Sequence, residues 1–195
     1  MVARIVCPSS RKPPKSSVIT STLAVFETYT PGRPPIAEGA LEAMLPQARE
    51  QYLTQRARTD QQEDSPWTTL FKKEMQLEHA FAKAGGLLVV GTDPTGYGGI
   101  VAGYANQRAV KLLVESGFSP EEAISIATLN GARYLGIDDR IGTVTAGKVA
   151  DLIVVRGDPS AAISDVHNVE LVFKSGIGYN SQKLFQSVKG TVGLH

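Results

Sequence analysis

Strand-like and helix-like patterns alternate along the first two thirds of the chain. Val18 to Phe26 is apolar and β-branched, bounded by Ser17 and by the turn sequence TPGRPP, and is a predicted strand. Leu87 to Val90 is apolar at every position, which is expected of a parallel strand covered on both faces. Between them, apolar residues recur every three or four positions from Trp67 to Ala84 and predict a helix that ends at a glycine pair.

Three further segments favour helix. Residues 36–58 are rich in Ala, Leu, Glu and Gln, and Pro46 divides them into two predicted pieces. Asn106 to Ser116 is also predicted to be helical. Ser119-Pro-Glu-Glu122 has the residue order of a capping box, so a helix is expected to begin there, to end near Asn130-Gly131, and to be followed by one more turn.

The pattern changes beyond Gly136. Residues 141–159 and 169–180 are predicted to form short strands joined by glycine turns, which places a boundary near 138–142. Residues 8–17 are rich in Pro, Ser and basic side chains and have no apolar period. The predicted organisation is therefore an irregular arm over 1–17, an α/β unit over 18–140 and a β-rich unit over 141–195.

Composition excludes several classes of function. The 195 residues carry 20 Lys plus Arg and 19 Asp plus Glu, a net charge of +1, so no broad positive field is available for nucleic acid or an anionic membrane. The sequence has no apolar run of the length that spans a bilayer. Cys7 is the single cysteine, which excludes an internal disulfide. The prediction is a soluble, cytoplasmic protein.

The segment LLVVGTDPTGYGG (87–99) contains the candidate chemistry. Asp93 lies three residues past Val90, and functional groups of parallel sheets collect at the carboxyl ends of strands. Its carboxylate could bind a metal, act as a general base, or only cap the turn before Pro94. The glycines fit a substrate-covering loop or plain flexibility. The three histidines, His79, His167 and His195, form no chelating pair and are expected to be structural or solvent-exposed.

Three motifs together resemble the C-terminal part of the metal-dependent amidohydrolase superfamily, in its imidazolonepropionase-like branch. They are GTD at 91–93, the helix pair around SPEEAISIATLNGARYLG, and GTVTAGKVADLIVV at 142–155, and they occur in the family's order. The resemblance implies the last two strands of a (β/α)8 barrel, Val18 to Thr22 and Leu87 to Val90. It also implies part of a small β-sandwich, to which Ile141 to Val155 and Leu171 to Tyr179 would contribute strands.

The resemblance also implies a site. Asp93 matches the family's strand-eight aspartate, which contacts the metal and takes a proton from the attacking water. The loop that follows, with Thr95, Gly96 and Tyr97, is expected to contact a small-molecule substrate, and Arg33 is a further candidate for that contact. The cofactor implied for the complete family site is a divalent metal, in most cases zinc; this chain holds either that metal or none.

The family's remaining metal ligands have no counterpart in this sequence: an HxH pair, a carboxylated lysine or glutamate, and two single histidines. A complete barrel takes about 250 residues, so the expected fold is an incomplete barrel from an N-terminally truncated chain. Three functions stay open: a hydrolase of C–N bonds, such as those of cyclic amides, working with more polypeptide; a non-catalytic, self-associating remnant; and a small-molecule binding module without turnover. The unpaired strand edge predicts a homo-oligomer or a partner chain.

Overall fold

A parallel pair of strands forms the centre of the larger unit. The computed structural model describes residues 17–94 and 97–193. Strand β1 (Val18–Ser21) pairs in parallel with β2 (Leu87–Val90), in register from Val18 opposite Leu87 to Ser21 opposite Val90. The predicted parallel pairing is confirmed. Within the described residues this sheet has two strands and no closed barrel.

The first strand is shorter than its sequence predicts. It ends at Ser21, and helix α1 (Leu23–Thr28) begins two residues later. The buried side chains of α1 fall at 23, 24, 27 and 28, which is one face of a helix and cannot be one face of a strand. The prediction of strand as far as Phe26 was therefore wrong, because burial of this face outweighs the local β-propensity.

The helical predictions are mostly confirmed. The segment around Pro46 forms two helices, and the capping box forms as expected: Ser119 Oγ accepts from the Glu122 N–H (3.2 Å) and Glu122 Oε2 accepts from the Ser119 N–H (2.9 Å). The following helix breaks at Thr128 instead of Asn130-Gly131. The helices are α2 (Glu38–Ala43), α3 (Pro46–Asp60), α4 (Pro66–Lys83), α5 (Tyr104–Glu115), α6 (Pro120–Ala127) and α7 (Leu129–Leu135).

Two apolar clusters hold these helices together, and one of them also includes the sheet. Leu88 of β2 is fully buried against α5 and α6, and Leu23 of α1 is fully buried between α4 and α5. Each cluster removes several large side chains from water, at about 1.5–3 kcal/mol for each one. The first cluster consists of Leu88, Leu113, Phe118, Ala123 and Ile126, and the second of Leu23, Ala24, Phe71, Ile100, Ala105 and Leu112.

The last third is built on an antiparallel sheet. Of the predicted strand over 141–155, only its end is extended, because the preceding residues form turns in which Lys148 Nζ donates to the Asp138 carbonyl (2.6 Å). One helix near the C-terminus was not predicted. The elements are β3 (Leu152–Val155), a 3-10 helix (Ile163–His167), β4 (Val169–Lys174), β5 (Ile177–Asn180) and α8 (Ser181–Val188), with sheet order β3-β4-β5.

Residues 190–192 contact the segment at 42–45, at the end of α2. The Gly190 N–H donates to the Glu42 carbonyl (2.9 Å), and the Leu45 N–H donates to the Val192 carbonyl (2.8 Å). Val192 packs beside Met44 and Tyr52 in a third apolar cluster. The two predicted units, 18–140 and 141–195, are therefore in direct contact at this point, while the division itself stays a prediction.

Candidate functional site

The carboxyl ends of β1 and β2 are held close together. Beyond the last strand pair, the Gly91 N–H donates to the Ser21 carbonyl (2.9 Å) and continues the ladder by one residue. A Cβ on Gly91 would lie 2.6 Å from Cγ2 of Thr20, closer than carbon atoms can approach. Glycine at the first position of GTD is thus required by the packing of the two strands.

Asp93 lies in the loop directly after this junction. Its side chain is exposed, and its φ is +45°, in the left-handed region that non-glycine residues rarely adopt. Aspartate tolerates this region better than most residues, but the residue before a proline ordinarily takes an extended backbone with negative φ. Strain of this kind costs about 1–3 kcal/mol and concentrates at functional sites. The position agrees with the predicted strand-end site, and the role of Asp93 stays a prediction.

Of the three predicted substrate contacts, one can be described. Thr95 and Gly96 lie outside the described residues. The Tyr97 hydroxyl donates to the Thr28 carbonyl at the end of α1. Its ring packs edge-on against Tyr29 (centroids 5.7 Å apart) and stacks on Tyr52 (5.9 Å). Tyr97 therefore fastens the glycine loop to α1 and α3, and a substrate contact by it stays a prediction.

Arg33, the further candidate for a substrate contact, belongs to a network of four charges that the sequence did not indicate. Its guanidinium contacts Glu27 (2.8 Å) and Glu115, and stacks over the ring of Phe71 (5.0 Å). Arg108 contacts the same two carboxylates, Glu27 at 2.6 Å and Glu115 at 2.7 Å. Arg33 and Glu115 are 82 positions apart in the sequence, and the network brings together α1, the loop after it and α5, so no local pattern could have revealed it.

The network changes the ionisation of its members. Burial lowers the pKa of Arg108, but the hydrogen bonds and the negative charges of Glu27 and Glu115 outweigh this and raise it. Burial raises the pKa of Glu115, yet hydrogen bonds from Arg33 and Arg108 bring it below its usual value. Hydrogen bonds and opposite charges therefore favour the charged forms of Arg108 and Glu115. The ion pairs of the network connect α1, the loop after it, and α5.

The residues present do not make a metal site by themselves. Across 17–94 and 97–193, no three His, Cys, Asp or Glu side chains come together where one ion could be held. Asp93 offers a single carboxylate, whereas metal sites in proteins usually have three or four protein ligands. Two histidines have structural contacts instead: His79 packs edge-on against Phe118 (4.8 Å), and His167 Nδ1 lies 2.9 Å from Gln107 Oε1.

Comparison with known proteins identifies the family. The model of the amidohydrolase family matches residues 24–178, so the chain belongs to that family. It is 33% identical over 95 residues to an imidazolonepropionase of Flavobacterium johnsoniae, covering 49% of this chain and 22% of that protein. It is 34% identical over 73 residues to adenine deaminase 2 of Jannaschia sp., covering 37% of this chain and 12% of that protein.

A solved structure shows the same fold. The structure titled "AH, Bottromycin amidohydrolase" superposes with a TM-score of 0.66 at 19% identity, over 88% of this chain and 40% of that one. The chain is therefore of the TIM-barrel type, and it spans less than half the length of each protein named here. The resemblance read from the GTD, SPEEA and GK-ADL motifs is confirmed. The family is metal-dependent, and its members hydrolyse C–N bonds of small molecules.

None of the helices described here has the length and apolarity needed to cross a membrane.

Proposed function

We propose that this chain is the strand-seven and strand-eight part of an amidohydrolase that cleaves a C–N bond of a small molecule, with Asp93 as its proton-transferring carboxylate. The observation that carries the proposal is the position of Asp93: it lies three residues after the end of β2, falls inside the family match, and has a strained backbone. A carboxylate there can take a proton from an attacking water and pass it to the leaving nitrogen.

The rest of the centre has to come from other polypeptide. Asp93 is the one family ligand position that the sequence contains, and the described residues add no further group of ligands. We therefore assign no metal-dependent step to this chain alone. In the complete centre the metal, expected to be zinc, would be held by histidines of a longer protein or of a partner chain. Asp93 would contribute one oxygen ligand.

Open sheet surfaces support completion by further polypeptide. In the described part of the chain, β1 and β2 pair only with each other, so each has one edge without a strand. The antiparallel sheet has its own exposed apolar residues, Ile153 (60% exposed), Ile177 (61%) and Tyr179 (41%). Unpaired edges and exposed apolar faces bind other chains or more of the same one. The same observation favours a second candidate function, a self-associating protein without catalysis.

The test is hydrolysis of a substrate panel in the presence of zinc. The panel holds one cyclic amide, one Xaa-Pro dipeptide and adenine, and the chain is assayed over a range of protein concentrations. Asp93→Asn should lower turnover by about a hundredfold or more, because the amide cannot carry the proton. The matched control is Asp139→Asn, which removes the same charge from an exposed turn and should leave turnover unchanged.

Two results would contradict the proposal. One is turnover or stoichiometric zinc binding that Asp93→Asn leaves intact. The other is a combination of two observations. Sedimentation velocity would show that the isolated chain is strictly monomeric, and the DNA upstream of Met1 would contain no reading frame that encodes HxH and the missing histidines. A chain that stays monomeric and belongs to no longer reading frame would have no source for the other metal ligands. Concentration-dependent assembly without any turnover or zinc would favour the second candidate function.

A further inference from the structure

A small cavity lies between α1, the proline-rich segment after it, α5 and the 3-10 helix. Its volume is about 170 Å³, and Asp93 and Tyr97 are not among its lining residues. An engineered apolar cavity of about 150 Å³ holds one benzene molecule, so this cavity has room for a compact body of about six carbons. Its walls are mostly apolar and include Ala24, Pro34, Ile36, Ala40, Ile100 and Ala105.

Among the described charged side chains that line this cavity, one cation has no described ion pair. Glu27 and Arg108 line it and belong to the balanced four-charge network. Arg56 lines it too, and its charge is balanced by Asp60, four residues further along α3. Lys111 also lines the cavity, one turn after Arg108 on α5, and no described carboxylate lies within ion-pair distance of it. Lys111 is half-buried, and its side chain lines a mostly apolar cavity without a described ion pair.

A second polar group faces the same space from another element. His167, at the end of the 3-10 helix, lines the cavity, and its Nδ1 is placed 2.9 Å from Gln107 Oε1. Burial lowers the pKa of His167, and the positive charges of Lys111 and Arg108 lower it further. The hydrogen bond with Gln107 positions the imidazole, and Lys111 and Arg108 are the positive charges near it. An anion in the cavity would therefore have Lys111 on α5 and the His167 imidazole among its neighbours.

We propose that this cavity binds a small organic carboxylate with a compact apolar body, its carboxylate on Lys111 beside His167 and its body between the alanines and prolines of the walls. The charge of Lys111 selects an anion, and the volume selects its size. The site does not depend on the hydrolase proposed above, since it uses none of the residues of the strand ends. It is a binding site for a metabolite-sized acid, built where the larger unit meets the 3-10 helix of the last third.

Benzoate is the probe, and benzamide is its neutral counterpart of the same shape. Titration calorimetry with the whole chain should show one benzoate site and at least tenfold weaker binding of benzamide, because a charge-assisted contact is lost. Lys111→Met keeps the length of the side chain and should weaken benzoate binding about tenfold or more, while Lys111→Arg should retain it. Lys72→Met on the exposed side of α4 is the matched control and should bind as the original chain does.

The proposal is overturned if benzoate does not bind, if benzamide binds equally well, or if Lys111→Met binds benzoate as tightly as Lys72→Met does. Should Lys111→Met not fold, the comparison of benzoate with benzamide on the original chain decides the matter alone. Addition of salt gives a further check, since 1 M NaCl should weaken benzoate binding and leave benzamide binding nearly unchanged.

Discussion

Replacement of Glu78 by glutamine should make the stability of the protein less dependent on pH between pH 5 and pH 7.5. Glu78 lies on α4 and is 1% exposed. Within the described residues, neither carboxyl oxygen has a hydrogen-bond partner of ordinary geometry. Burial raises the pKa of Glu78 from 4.5 to about 8; the nearby Ser21 hydroxyl opposes this shift, and the charge of Glu74 adds to it. The folded protein therefore holds this carboxyl protonated at pH 7.

The sign of the pH dependence follows from that raised pKa. Between pH 4.5 and about 8 the folded state binds a proton that the unfolded state has lost, so the free energy of unfolding falls as pH rises. Each pH unit costs about 1.4 kcal/mol, which gives a loss of about 3 kcal/mol between pH 5 and pH 7.5. Glu78→Gln has no proton to lose. Its stability relative to the original chain should therefore rise by up to that amount over the same range.

Urea unfolding at pH 5, 6, 7 and 7.5 measures this difference. The single tryptophan, Trp67, stacks on Tyr29 (centroids 4.9 Å apart) and reports the transition by fluorescence. Any constant cost of the buried amide cancels from the slope, as do the other titrating groups that both proteins share. Glu63→Gln, in an exposed loop, is the control and should follow the original chain at every pH. A difference between Glu78→Gln and the original chain that does not change with pH would refute the reasoning.

Two further substitutions test the packing of the strands and the helix cap. Gly91→Ala should lower the free energy of unfolding by about 1–3 kcal/mol, because the new methyl group meets Cγ2 of Thr20. In thermal denaturation, the double variant with Thr20→Ser should regain part of that loss; no recovery would show that this contact is not the cause. Ser119→Ala removes the hydroxyl that accepts from the Glu122 N–H and should cost about 1 kcal/mol in urea unfolding, whereas an unchanged midpoint would mean that the cap adds nothing.

Features of the fold that depend on residues close together in the sequence were predictable. The Ser119 capping box, the break at Pro46 and the continuous apolar run of β2 each follow from a few adjacent side chains. The family was predictable because its motifs, too, are local. Residues 23–28 were not predictable in this way: their β-branched and apolar composition favours strand, and only their burial against α4 and α5 makes them a helix.

The site was predictable only in part. Asp93 could be placed at a strand end because one short segment contains both the strand and the loop. Contacts between distant segments could not be predicted in this way. Arg33 was a candidate for a substrate contact, and its ion pairs with Glu27 and Glu115, from two other places in the chain, could not be foreseen. The buried position of Glu78 was likewise hidden, since a helix with this pattern offers several positions for a carboxylate and only the packing selects one.

The return of residues 190–192 to the segment at 42–45 has a consequence for the order of folding. The bridge between Met44 and Val192 joins residues that lie far apart in the sequence. Contacts of large sequence separation form slowly, because the chain between them has to be closed into a loop first, so this contact is expected to follow the local helices. Until it forms, Met44 and Tyr52 lack one of the apolar neighbours that cover them in the folded protein.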